Sequence, residues 1–409
     1  MNDATPVYLD HNATTPPAPE VLREMVDAYE RTWANPSSTH VAGQAARRVL
    51  ADARARVASF LGCRANELVF TSGATEANHA AILGALKARA PQGRTRLVVS
   101  SIEHPGLLAL AARLEGEGVP VTRLPVDAQG RLDAAVLRAT LAPDAASDVA
   151  LVSVMGANNE TGVRLDLDAV AALAHAAGAW LHVDATQLAG KAPFSFADTG
   201  IDLASVSAHK LHGPRGVGAL VIRHGLALPP LFSGRQERHR RGGTENVAAA
   251  AGFAAACDAI APTLAADLER LRALRDRLEL AIVEAVPRVH VHGRDAPRLA
   301  NTSCLRFDAL DADLVLGRLE RAGVLASSGA ACSAGGTQPS HVLLAMGESP
   351  LRAKAGIRFS LGRTTTSCDI DLAIAAVRQV IAPLLDAPSP PDPSDPSVPH
   401  RTTALEPAE

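Results

Sequence analysis

Between Arg47 and Gly225 the chain alternates short, nearly unbroken apolar runs with stretches whose apolar residues recur at three- and four-residue steps. Few folds accept that alternation. It specifies βαβ units around a mostly parallel sheet with helices on both faces, because only strands covered on both sides read as continuous apolar segments. The spacing predicts strands at residues 67–71, 97–100, 150–154, 180–184, 203–206 and 219–222, with helices at 75–88, 106–115 and 167–176, the last followed by Gly178 as a C-cap.

From Pro262 the pattern changes. Leu264, Leu268, Leu271, Leu274, Leu278 and Ile282 form one long helical stripe that leads to a strand at 301–307, a helix at 311–322, a loop of small residues, a strand at 357–360 and a helix at 369–385. The predicted organisation is α/β, a large domain at residues 16–260 followed by a smaller α+β domain at 261–385. Residues 1–15 form an arm packing with the small domain, and residues 386–409 are too rich in proline to pack and read as a disordered tail.

Composition excludes several classes. Five cysteines, an odd number lying far apart, rule out a disulfide scaffold and offer no zinc clip. The 40 basic and 43 acidic residues leave no summed field for nucleic acid or anionic lipid. No signal peptide precedes the first strand and no apolar run reaches membrane-spanning length, so a soluble cytoplasmic protein acting on a small molecule is expected.

Ligands of open α/β sheets bind beyond the carboxyl ends of the strands. There, Ser72-Gly73-Ala74-Thr75-Glu76 opens a helix whose free N–H groups suit an anion, although a plain helix cap reads the same way. A second strand ends in His182-Val183-Asp184-Ala185-Thr186-Gln187, and a third runs into Ser207-Ala208-His209-Lys210 on a turn bounded by Gly213 and Pro214. A lone lysine is usually a solvated surface charge. Together the groups suggest a pyridoxal phosphate site: Lys210 supplies an amine that condenses with the cofactor's aldehyde, Asp184 keeps the pyridine nitrogen protonated, and the Thr75 turn holds phosphate. His104, just after the 97–100 strand, adds an imidazole able to stack on the ring and move protons.

These segments resemble the cysteine desulfurases of the nitrogen-fixation and iron–sulfur assembly type, within fold-type I, class V pyridoxal phosphate enzymes. The resemblance also rests on Tyr8-Leu9-Asp10-His11-Asn12-Ala13-Thr14-Thr15-Pro16, Asn35-Pro36-Ser37-Ser38-Thr39-His40, Asn158-Asn159-Glu160-Thr161-Gly162, Gly243-Thr244-Glu245-Asn246 and Ile357-Arg358-Phe359-Ser360-Leu361-Gly362-Arg363, in family order from residue 8 to about residue 385. It implies that Lys210 links to the cofactor, His104 stacks on it, Asp184 meets its ring nitrogen and Gln187 its phenolic oxygen. Ala74, Thr75, Ser207 and His209 would hold phosphate, Thr244 reaching over from the second subunit of a homodimer. Asn159 would serve both cofactor and substrate, with Arg358 taking the substrate carboxylate, a role its planar fork suits.

The same resemblance selects Cys332, in the small-residue loop that follows Ser327-Ser328-Gly329, as the nucleophile. On residues alone it reads as an incidental free thiol. Ala330, Ser333 and Gln338 depart from the residues usual in that loop. The implied reaction takes sulfur from L-cysteine as a Cys332 persulfide, leaves alanine, and passes sulfur to an acceptor such as an iron–sulfur scaffold. Selenocysteine lyase, another class V enzyme such as an aminotransferase, and a noncatalytic sulfur carrier are the alternatives. The other cysteines, Cys63, Cys257, Cys304 and Cys368, read as inert buried thiols. The basic stretch 235–241 reads as a loop near the active site or a dimer contact. His290-Val291-His292 alternates as strand residues do, and with no further ligand nearby in sequence no metal is expected there.

Overall fold

The computed structural model describes residues 6–142, 144–286, 288–308, 310–329 and 338–386. The chain enters through a short strand, β1 (Val7–Tyr8), and two helices, Pro19–Arg31 and Val41–Leu61. Seven strands then build the large sheet: β2 (Leu68–Thr71), β3 (Arg96–Ser100), β4 (Val121–Leu124), β5 (Val149–Met155), β6 (Trp180–Asp184), β7 (Leu203–Ser207) and β8 (Gly218–Ile222). Their order is β2-β8-β7-β6-β5-β3-β4. Only β8 runs against its neighbours; the rest of the sheet is parallel, as the near-continuous apolar runs require. β5, β7 and β8 are buried along their whole length, and β6 at all but its first residue, Trp180.

The helix Val247–Ile260 is apolar along all but its last turn, where Asp258 is exposed, because it is buried along that length. A long helix, Leu264–Ala285, leads away from it to a four-stranded antiparallel sheet made of β9 (Val289–Val291), β10 (Thr302–Phe307), β12 (Ser327–Ser328) and β13 (Gly356–Ser360), in the order β12-β13-β10-β9. Between β10 and β12 lies β11 (Val324–Leu325), which pairs in parallel with β1. The first strand of the chain is thus joined to its last third.

Separate apolar clusters fill the two regions. One includes Leu50, Val57, Val152, Val183, Val206 and Phe253, and a second includes Leu278, Ile282, Leu305, Phe307, Phe359 and Ile370. Among the described residues no single helix is long and apolar enough to cross a membrane.

Three local expectations need correction. β4 carries exposed Arg123 at the sheet edge and lacks an apolar run, so periodicity passes over it. The helix expected at 369–385 is two, Ser367–Val380 and Ala382–Asp386, parted at Ile381. Cys368 is exposed, because the first turn of its helix turns that position to solvent; Cys257 and Cys304 are buried and Cys63 is half-buried.

Candidate active site

Strand ends place the candidate groups. β6 delivers Asp184 at its last position and β7 delivers Ser207 at its last, from which a single turn of 3-10 helix, Ala208–Lys210, carries Lys210 outward. Parallel pairing sets Asp184 against Met155 of β5 and Ser205 of β7. β3 leads to His104, which caps the helix Pro105–Gly116 by accepting from the Gly106 N–H at 3.1 Å. A cavity of about 590 Å³ opens where these ends converge, and Ala74, Thr75, His104, Asn159, Asp184, Gln187, Ser207, His209 and Lys210 all line it.

The helix Ala74–Arg89 begins at Gly73 with no side-chain cap, so its first N–H groups stay available to an anion in the cavity. The close approach needs glycine at Gly218, whose Cβ would stand 2.8 Å from the Gly73 Cα. Beside this turn Arg241 grips Glu76, and Glu76 accepts from the Ser72 N–H at 2.8 Å. The basic stretch therefore reaches the active site through Arg241.

Asp184 is buried, and its carboxylate accepts from Asn78 Nδ2 at 2.8 Å and from the Thr186 N–H at 3.0 Å. Beneath it the fully buried His182 bridges Ser153 and Ser205, and burial pushes it down to about 4, so the ring is neutral. Burial also lowers His104, Asp184 pulls it back, and Lys210 and His341 lower it again. With Nδ1 accepting from Gly106, the neutral His104 ring carries its proton on Nε2. His209 is driven to about 4 by burial and then by the charges of Lys210, Lys191 and Arg215.

Lys210 Nζ donates to the carbonyls of Asn12 at 2.5 Å and Ala13 at 2.7 Å. The N-terminal arm therefore forms one wall of the site, with Thr15 donating to the His209 carbonyl from both its N–H and its hydroxyl.

Two expected residues lie outside the cavity lining. Arg358 is fully buried behind it, its Nη2 on Asp10 at 2.6 Å and its Nη1 on the Asn159 carbonyl at 3.2 Å, while its Nε has no partner. Thr244 is exposed in a neighbouring depression that shares Ser72 and Gly216 with the cavity. Cys332 lies outside the described residues.

Three groups escaped the sequence reading. Lys191, buried, donates to Asn12 Oδ1 at 2.9 Å and to Gln187 Oε1 at 2.5 Å, which fixes the orientation of the Gln187 amide. Burial, followed by the charge of Lys210, holds its amine well below the ordinary lysine range. Glu103 is buried under His104, accepting from Ser100 and from the Met155 N–H, and burial raises its carboxyl to about 8. His341 donates through Nε2 to the Glu103 carbonyl at 2.9 Å and so stands beside His104. No local sequence signal marks them, because each acquires its setting where distant segments cross.

The donor set fits pyridoxal phosphate. An amine, a buried carboxylate, a neutral imidazole and an uncapped helix N-terminus face one cavity, and the Thr186 hydroxyl on its wall is buried without a partner. The chain belongs to the class-V aminotransferase family, whose model matches residues 7–372, and that family depends on pyridoxal phosphate. Within it the similarity is to cysteine desulfurases: one from Cereibacter sphaeroides is 46% identical over 383 residues, covering 93% of this chain and 96% of the relative. Among solved structures, a NifS-like protein matches with a TM-score of 0.84 at 32% identity, covering 92% of this chain and 99% of that one. A structure described as SspA in complex with cysteine matches with a TM-score of 0.76 at 31% identity, covering 88% and 99%.

Proposed function

We propose that this chain is a cysteine desulfurase that takes sulfur from L-cysteine, leaves L-alanine and holds the sulfur as a persulfide on Cys332. The observation that carries this reading is the convergence of Lys210, Asp184 and His104 on one cavity beside an uncapped helix N-terminus.

Ala74, Thr75, Ser207 and His209 would hold the phosphate end of pyridoxal phosphate, Asp184 the ring nitrogen, Gln187 and Asn159 the ring's polar edge, and Lys210 the aldehyde carbon. Bound there, the cofactor supplies an electron sink for charge that develops on the substrate. The free Lys210 amine would be the base that removes the substrate's α-proton. Asp184 keeps the charge state that makes the sink effective, and Asn78 with the Thr186 N–H holds it in place. His104, neutral with its proton on Nε2, exchanges protons at the reacting carbon and sulfur. Arg358, with Asn159, is assigned the substrate carboxylate, for which its unpartnered Nε is the donor still unspent. Cys332 attacks as thiolate: its S–S bond to the substrate sulfur forms as the substrate C–S bond breaks, and the C–S electron pair stays on the carbon that is protonated to the alanine methyl.

The enzyme acts as a homodimer. Helix Pro19–Arg31 turns Val21 and Ala28 inward while Leu22, Val26 and Tyr29, spaced for one face, remain exposed together with Trp33 and Val41. A second copy covers that apolar face and brings its Thr244 to the phosphate. Cysteine chemistry of this kind, with thiols left unpaired, suits the reducing cytoplasm, and the acceptor is a sulfur-binding protein such as an iron–sulfur scaffold. The test is a comparison of wild type with Lys210→Ala, both supplied with pyridoxal phosphate. Wild type shows a visible cofactor band and forms alanine from L-cysteine, and the variant does neither; alanine formation undiminished in the variant would overturn the reading.

A further inference from the structure

The small sheet contains a group of potential ligands that only the fold assembles. His290 lies on β9 and His292 directly follows its last residue, their ring centroids 4.8 Å apart, and pairing with β10 sets Arg306 opposite His290. Glu348 arrives from the turn between the helices His341–Ala345 and Pro350–Ala353, placing Oε1 3.7 Å from His292 Nδ1. One donor atom from each of the three lies within 4.8 Å of the other two.

His292 is the anomaly. Its side chain is 2% exposed, its Nε2 has no hydrogen-bond partner, and its Nδ1 is too far from Glu348 for a hydrogen bond. Buried polar groups are nearly always paired, so an imidazole left this way calls for a missing partner. Arg306 is the competing charge. Its Nε stands 3.8 Å from Glu348 Oε1 and has no hydrogen-bond partner, while its Nη1 pairs with Asp308. Glu348 and Asp308 thus balance Arg306 and the nearby Arg352, leaving a niche with no net charge to repel a cation.

We propose that His290, His292 and Glu348 form a binding site for a divalent transition-metal cation of the zinc type. Two imidazoles and one carboxylate leave a fourth position for water, a donor set such cations favour over magnesium or calcium. Bonds of about 2.1 Å put the corners of a tetrahedron about 3.4 Å apart, so the exposed His290 and the half-buried Glu348 swing inward to close the set. None of the three lines the catalytic cavity, so the cation ties β9 to the turn bearing Glu348 and acts on stability.

The test uses full-length enzyme loaded with pyridoxal phosphate and stripped of metal by a chelator, titrated with Co²⁺ and with Zn²⁺. Wild type should bind one Co²⁺ with weak visible bands and no intense near-ultraviolet thiolate band, the signature of nitrogen and oxygen ligands. Zn²⁺ should raise its melting temperature by a few degrees. In His290→Ala, at an exposed position, and in Glu348→Gln, which keeps the size of the half-buried side chain, Co²⁺ should bind about tenfold or more weakly and the Zn²⁺ shift should vanish, with metal-free turnover of L-cysteine unchanged. Binding of equal strength in the variants, a thiolate band alone, or no Co²⁺ bound by wild type would overturn the proposal.

Discussion

At the scale of single residues, the site depends on amines and carboxyls that are costly to bury. Lys191 satisfies Gln187 Oε1 and Asn12 Oδ1 inside the protein. Lys191→Met keeps the volume but removes the donor to Gln187 Oε1, while Asn12 Oδ1 keeps its bond from Asn301; a buried group left unpaired costs about 1–3 kcal/mol. We expect the melting temperature to fall by several degrees; an unchanged melt would show that Lys191 does not hold Gln187. Glu103 gives a pH test. Its folded carboxyl titrates near 8 against an unfolded value near 4.5, so between those values the folded state binds more protons and stability falls as pH rises. Glu103→Gln imitates the neutral acid, keeping an acceptor for Ser100 and Met155. Its unfolding free energy should decline less than that of wild type between pH 5 and pH 8, with a difference in slope of at most about 1.4 kcal/mol per pH unit. Parallel profiles would contradict the burial argument. Lys210, Asp184 and His104 were legible in the sequence because each follows an apolar strand run. Lys191, Glu103 and His341 were not, since their burial arises from contacts spanning up to 238 positions along the chain.

At the scale of elements, the decisive local structure is the junction of Gly73 with β8. A Cβ on Gly218 would press on both Gly73 and the Val206 carbonyl, so Gly218→Ala must displace the uncapped helix start that is assigned to phosphate. Cofactor affinity should drop about tenfold or more, measured by fluorescence titration; an unchanged affinity would remove the phosphate from that turn. The same scale shows why periodicity succeeds in some places and fails in others. β5 to β8 are covered on both faces and announce themselves as apolar runs, whereas β4 has one neighbour and a half-open surface, and its Thr122 and Arg123 hide it. The break at Ile381 has no glycine or proline at the point of fracture, and only the following Pro383 hints at it.

At the scale of the whole molecule, the cavity lies where the N-terminal arm meets the strand ends of the large sheet, with Arg358 buried behind it. Asn12 is the hub, donating to the Asn159 carbonyl and to Thr302 while accepting from Lys191, Lys210 and Asn301. A dimer completes the proposed arrangement. Introducing charge with Val26→Glu and Trp33→Glu should shift sedimentation from dimer to monomer and weaken cofactor retention with it, since Thr244 is assigned to the partner's phosphate. A double variant that stays dimeric would move the interface elsewhere. The central claim is that sulfur leaves L-cysteine through Cys332. It is tested by measuring alanine release together with the mass of the Cys332 peptide after a single exposure to L-cysteine, in wild type and in Cys332→Ala. The account predicts alanine and a peptide heavier by one sulfur atom in wild type, with neither in the variant. Sulfide and alanine released by Cys332→Ala at the wild-type rate would contradict it.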